Sequence, residues 1–351
     1  MNPQKMPLPK MLVEIREVPV VLERQLQGNR ERIAALARAM TERQPRFAMT
    51  IARGTSDHAA NFLQYVLESQ FGLVTASAAP SVVTAYNAKL QLEGALVIAI
   101  SQSGQSPDVV GSLAAAREQG ALTVAIINTP NTPLEAAAEF CLPMQAGTEE
   151  AVAATKSFIA SLFAPLMLTA ALKSDHNLQT ALERLPQAAL RALESEQIAI
   201  DRAERYRYAE SMVALGRGLH FPLARETALK LKETSVISAE AFSSAEFAHG
   251  PIILIESGFP VIAFLARDAT HQGTLERYKD LAARGAELVL IGADVPELNA
   301  TVRLSTPDTG HILTDPIPAM LAAYLFAGHL SLARGLNPDA PRMLSKVTKT
   351  L

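Results

Sequence analysis

Three hydroxyls, two amides and one glycine stand together at Ser101-Gln102-Ser103-Gly104-Gln105-Ser106, directly after an apolar run and directly before Pro107. The apolar residues 95–100 read as a buried strand, and the amphipathic run that opens at Pro107 reads as a helix. A small polar loop between a strand and a helix N-terminus binds a phosphate without needing a basic residue. The unpaired N–H groups of the first helical turn point at the anion, and the helix dipole adds roughly half a positive charge. The serine and glutamine side chains supply further donors, and Gly104 lets the backbone come close. No Gly-Lys-Ser/Thr ending follows, so this is not a nucleotide P-loop. A serine-rich turn that merely caps a helix is the competing reading; the chemistry favours a phosphorylated small molecule.

Lys230 and Glu233, in Leu229-Lys230-Leu231-Lys232-Glu233, are three residues apart in a helical stretch. They share one helix face and can reach the same small substrate. A carboxylate there could take the proton alpha to a carbonyl, its pKa raised by burial and tempered by the lysine. Taken alone, the same run also fits a solvated helix face. His249 precedes a Gly-Pro turn, on a loop suited to function or simply as a helix-terminal residue. In the tail, Pro341 to Lys346, Arg342 and Lys346 could fold back over a site or belong to a frayed end. A lysine brought into a dry pocket could form a Schiff base with a keto sugar. Cys141 has no motif around it and reads as a buried structural thiol. The histidines show no metal-ligand spacing, so no metal site is expected.

These residues need a frame, and the chain supplies one twice. Residues 11–40 predict one or two helices, interrupted near Pro19 and Gly28. From Arg46 short apolar runs (47–52, 73–76, 96–100, 122–127) alternate with helical stretches (57–68, 107–119), which predicts a parallel sheet covered on both faces. A long helical stretch over 154–208, broken near Asp175 and Pro186, leads to a second unit. There, 212–215, 223–233, 260–265, 272–283 and 288–291 repeat the pattern about 165 residues on, a spacing that fits duplicated domains. The expected division is a helical segment 1–45, a first domain 46–175, a second domain 176–335 and a tail 336–351. Ser101 and Ser103 correspond to Ala266 and Asp268 in the second copy. A carboxylate beside a phosphate dianion opposes binding, so one phosphate site is expected, in the first half.

The 351 residues suffice for about two domains. The net charge of −3 speaks against a nucleic-acid binder. The single cysteine cannot form an internal disulfide, which fits a reducing cytoplasm. The apolar stretch 158–172 is short for a membrane span and contains Pro165, and the first residues hold no apolar signal-peptide core. A soluble cytoplasmic protein is expected, with no membrane partner.

Several segments together resemble the double sugar-isomerase (SIS) domain family, in particular the isomerase half of glutamine:fructose-6-phosphate amidotransferases. They are the entry helix Met11-Leu12-Val13-Glu14-Ile15-Arg16-Glu17-Val18-Pro19, the loop Ala52-Arg53-Gly54-Thr55-Ser56, the Ser101–Gly104 loop, and Ala146 to Lys156. The Leu229–Glu233, Glu246–Pro251 and Pro341–Lys346 segments fit in the same order along essentially the whole chain. The resemblance implies an α/β fold of two tandem SIS domains, each a flavodoxin-like three-layer sandwich with a parallel sheet. It implies that Ser56, Ser101, Gln102, Ser103 and Ser106 bind a sugar phosphate, while Thr55 and Val152 line the pocket. Glu233 would move a proton between C1 and C2, with Lys230 beside it. His249 would assist ring opening from the neighbouring subunit of a homodimer, and Lys346 would close over the sugar.

The chain departs from that pattern at Arg53, where the amidotransferases have cysteine, and at Ala154, where they commonly have serine. The glutaminase half is also missing from the sequence, so no production of ammonia from glutamine is expected. What the resemblance then implies is a glutaminase-free glucosamine-6-phosphate deaminase, which requires no metal, nicotinamide or pyridoxal cofactor. The alternatives are a fructosamine-phosphate deglycase, an aldose–ketose isomerase, a galactosamine-6-phosphate deaminase, or a non-catalytic sugar-phosphate sensor. No convincing helix-turn-helix precedes Phe47, as a sensor that regulates genes would carry.

Overall fold

The computed structural model describes residues 7–344 and 346. Helices α1 (Lys10–Arg16), α2 (Val18–Gly28) and α3 (Arg30–Arg43) come first. There are three rather than one or two: Pro19 sits in the first turn of α2, where its missing N–H costs nothing, and the chain breaks again at Asn29. The first α/β unit follows as β1 (Phe47–Ile51), α4 (Thr55–Phe71), β2 (Thr75–Ser77), α5 (Pro80–Thr84), β3 (Ala95–Ser101), α6 (Pro107–Glu118), β4 (Leu122–Ile127), α7 (Pro133–Ala137) and β5 (Phe140–Pro143). Helices α8 (Lys156–Lys173), α9 (His176–Ala192) and α10 (Glu196–Ala203) lead to the second unit. It comprises β6 (Ser211–Gly216), α11 (Phe221–Ser235), β7 (Ser238–Ser243), β8 (Pro260–Leu265), α12 (His271–Ala283), β9 (Glu287–Gly292), β10 (Val302–Ser305) and α13 (Pro316–Ala333).

Each unit holds a five-stranded, all-parallel sheet, in the order β2-β1-β3-β4-β5 and, equivalently, β7-β6-β8-β9-β10. Strands β3 and β4 are buried at every position, as a sheet covered on both faces requires. The repeat is regular: β1, β3 and β4 begin 164, 165 and 165 residues before β6, β8 and β9. In this strand order the chain leaves β1 toward one side of the sheet and β3 toward the other. That opens a crevice between their carboxyl ends, the place where such sheets bind ligands.

Pro186 does not break the helical stretch as expected. It lies inside α9, removing a single N–H while buried Leu178, Leu182, Leu185 and Ala189 hold the helix in the core. The break falls instead at residues 193–195. The second strand begins at Thr75, two residues later than its apolar run suggests. Helices α8 and α13 are long and apolar enough to cross a membrane, yet 83% and 89% of those stretches are buried inside the molecule. They are core helices, and α13 is in contact with α11, α10 and α9.

Candidate active site

Gly54 ends the β1 loop with φ +53°, a conformation glycine adopts without strain, and caps the start of α4. Thr55 and Ser56 therefore lie in the first turn of α4, while Ser106 caps α6 and Pro107 opens it. Two helix N-termini thus meet at the β1/β3 crevice. Gly104, at φ +62°, makes the turn from β3 into α6, and a Cβ there would stand 2.3 Å from the Thr132 hydroxyl oxygen. The Gly104 N–H donates to Ser101 Oγ at 3.0 Å. Ser101 is buried and holds the loop's shape; it does not line the cleft.

The cleft has a volume of about 310 Å³, and Arg53, Thr55, Ser56, Gln102, Ser103 and Ser106 form one wall. Val152, Ala154, Ser157 and Phe158 form another, with Lys230, Glu233 and Lys346 closing it. The structure thus brings together ten of the twelve residues singled out from the sequence. Ser101 lies behind the loop, and His249 is exposed, outside this chain's cleft. Arg53 donates from Nε (3.0 Å) and Nη2 (2.6 Å) to one oxygen of Asp108, in the first turn of α6. Arg53 therefore stands on the side of the Ser106 loop.

The α11 side of the cleft depends on a residue not singled out from the sequence. Glu226, fully buried, precedes Lys230 by four residues and Glu233 by seven, on one face of α11. Its carboxylate accepts from Thr55 Oγ1 (3.2 Å) and the Tyr324 hydroxyl (3.1 Å), and faces His58 Nδ1 at 2.8 Å. Lys230 Nζ lies 3.4 Å from Glu226 and also donates to Glu233. Burial opposes the charged form of Glu226, but Lys230 and the hydrogen bonds from His58 and Tyr324 outweigh it and lower its pKa. Burial likewise opposes charge on Lys230, and the two carboxylates overcome it, raising its pKa. Lys230 is thus a fixed ammonium between two acids. Thr55 and His58 belong to the first unit, Glu226 to the second, so this network joins the two domains.

A second buried acid, Glu149, organises the remaining wall. Its Oε1 accepts the N–H groups of Thr155 (2.9 Å) and Ser157 (3.1 Å), and its Oε2 the Ser157 hydroxyl (2.7 Å). Lys346 Nζ donates to the same Oε2 at 3.0 Å and to the Ala151 carbonyl at 2.7 Å. Burial works against the Glu149 carboxylate, yet Lys346, Ser157 and the backbone donors hold its pKa below the usual range. The tail is therefore folded back over the cleft. Glu14 of α1 supports the loop from outside, accepting the N–H groups of Glu150 and Ala151.

The model of the SIS domain matches this chain twice, over residues 43–171 and 206–330. The chain belongs to the SIS-domain family. Among SIS relatives, an isomerising glutamine–fructose-6-phosphate aminotransferase of Thermus thermophilus is 33% identical across 96% of this chain and 58% of its own length. The chain thus spans less than two thirds of that relative. A solved SIS structure from Silicibacter pomeroyi, named only provisionally as a phosphosugar isomerase, superposes with a TM-score of 0.87. It is 37% identical and covers 95% of this chain and all of its own. The C-terminal domain of glucosamine–fructose-6-phosphate aminotransferase from Francisella tularensis follows at TM-score 0.85 and 27% identity, covering 97% of this chain and all of its own.

Proposed function

We propose that this SIS protein isomerises and deaminates an amino-sugar phosphate, converting glucosamine 6-phosphate and water to fructose 6-phosphate and ammonia. The observation that carries this reading is the joining, in one cleft, of the Gln102–Ser106 anion loop with the Lys230–Glu233 pair. The loop and Ser56 hold the phosphate. With the sugar ring open, Glu233 takes the proton from C2, made acidic by the C1 aldehyde, and returns it to C1. The product is an imine at C2, which water hydrolyses to the ketone with loss of ammonia. Lys230, kept charged by Glu226, holds Glu233 in place and steadies negative charge that develops on the substrate oxygens. Lys346, tied to Glu149 and Ala151, serves to close the cleft over the sugar. None of these steps calls on a cofactor.

The similarity of the relatives' names, phosphosugar isomerase and isomerising aminotransferase, supports the shared proton transfer. In the same reading His249 reaches the cleft of a second copy. The loop that carries it also exposes Ile253 (88%), an apolar side chain suited to a dimer contact.

The test incubates the purified protein with glucosamine 6-phosphate and follows ammonia and fructose 6-phosphate together, with glucose 6-phosphate in parallel. Equal release of both products supports the deaminase. Isomerisation of glucose 6-phosphate without any ammonia from the amino sugar supports a plain aldose–ketose isomerase. E233Q should retain substrate binding and lose turnover by about 10²-fold or more; an unchanged rate removes Glu233 from the mechanism.

A further inference from the structure

Arg53 stands in the anion-loop wall, and its environment assigns it a task. Its side chain is half exposed (53%), while the Asp108 carboxylate behind it is almost fully buried (2%). Both contacts to Asp108 use one edge of the guanidinium, Nε and Nη2. The planar fork is thereby fixed in orientation, and its remaining N–H groups stay available toward the cleft that Arg53 lines. Asp108 sits two residues after Ser106, in the first turn of the helix whose N-terminus faces the anion loop. A bare carboxylate in that position would repel a phosphate, and Arg53 neutralises it. The pair stands on the α6 side of the cleft that Glu233 also lines.

We propose that Arg53 is a phosphate-binding residue, aimed by Asp108 as its positioning residue, and that it restricts this cleft to dianionic phosphate monoesters. The inference rests on the sugar-phosphate reading of the cleft. Arg53 contributes a directional donor to the phosphate and cancels the charge of Asp108. Losing Arg53 therefore removes an attraction for the phosphate together with one of the groups that offset the charge of Asp108.

Inorganic phosphate is the first probe, titrated calorimetrically into the full chain at a pH where it is mainly dianionic. Glucosamine 6-phosphate and unphosphorylated glucosamine follow. R53M should weaken phosphate and glucosamine 6-phosphate by about tenfold or more, the scale of a lost charge-assisted hydrogen bond, and leave glucosamine unaffected. R53K, with a charge but no fork, should fall between. R53M/D108N should regain part of the lost phosphate affinity. R53M leaves the buried Asp108 without this partner, so its melting temperature should fall and R53M/D108N should restore it, while glucosamine binding, which a disrupted cleft would lose, stays at the wild-type level. R53M binding phosphate within about twofold of wild type overturns the proposal and leaves the sugar-phosphate reading standing. A wild-type protein that binds neither phosphate nor glucosamine 6-phosphate overturns both.

Discussion

Replacing Glu226 by glutamine removes a charge from the centre of the interdomain network while keeping the side chain's shape. The carboxylate is fully buried and meets Thr55, Tyr324, His58 and Lys230 at 3.2, 3.1, 2.8 and 3.4 Å. The glutamine carbonyl can still accept from the two hydroxyls, and the imidazole can change tautomer to accept from the amide. These contacts survive as neutral hydrogen bonds, each weaker than a charge-assisted one by about 1 kcal/mol. Lys230 keeps Glu233 but loses the deeper of its two carboxylates. The summed loss is about 3 kcal/mol, at the lower end of what breaking a buried ion pair costs. The pH dependence has a definite sign. The folded-state pKa of Glu226 lies below its ordinary value of 4.5, so its contribution is complete above that value and disappears as pH falls through the folded-state value. Urea unfolding of wild type and E226Q at pH 7 should therefore differ by about 3 kcal/mol, and the difference should shrink below pH 4.5. Stabilities within about 0.5 kcal/mol at pH 7 would refute the view that this carboxylate holds the domains and Lys230 together.

Gly104→Ala should lower the melting temperature and weaken phosphate binding. Its φ of +62° costs an L-residue about 1–2 kcal/mol, and the new Cβ collides with Thr132; an unchanged melting curve would show that the turn relaxes freely. Glu149→Gln should free the tail at neutral pH, because it discharges the partner of Lys346. Trypsin cleavage after Lys346, read by mass spectrometry, should accelerate about tenfold in E149Q, and equal rates would mean that Glu149 does not hold the tail. Since the Glu149 pKa is held low, the wild-type tail should stay protected down to the usual carboxylate range and open below it.

The two α/β units and the strand–loop–helix turn around Gln102–Ser106 were legible because their signals are local. An apolar run buried on both faces, a polar turn and an amphipathic helix each fit within a dozen residues, and the offset near 165 residues repeated them. Pro186 misled because a proline forfeits only one hydrogen bond, and the apolar face of α9 outweighs it. Glu226 carried a signal that went unread, a glutamate four residues before Lys230 and seven before Glu233, all on one helix face. Tyr324 and His58 carried none. They reach Glu226 from α13 and α4, elements 98 and 168 residues away in the chain, and only tertiary packing brings them there. Arg53 looked anomalous for the same reason, since its partner Asp108 lies 55 residues on.

The second domain gives a physical reason for placing the proposed anion site in the first domain. Its crevice has the same strand order, but the start of α12 is already occupied. Asp268 Oδ1 accepts the Thr270 N–H at 2.8 Å and the Thr270 hydroxyl at 2.6 Å, taking donors that a phosphate would need. Arg267 is turned away, donating to the Thr306 carbonyl at 2.6 Å and lying 3.8 Å from Asp315. His220, at the position of Ser56, is fully buried, and desolvation lowers its pKa to about 4, so it carries no positive charge at neutral pH. A dianion entering there would meet a fixed carboxylate and a neutral ring. The second domain is instead turned toward the first through α11, whose Glu226, Lys230 and Glu233 form one face against Thr55 and His58. Each domain alone is therefore incomplete for the proposed reaction: the first presents the anion loop without the α11 pair, the second the pair without an anion loop. Activity should consequently track the integrity of the interface between them, and Glu226, which touches both domains, is the residue through which the two properties are linked.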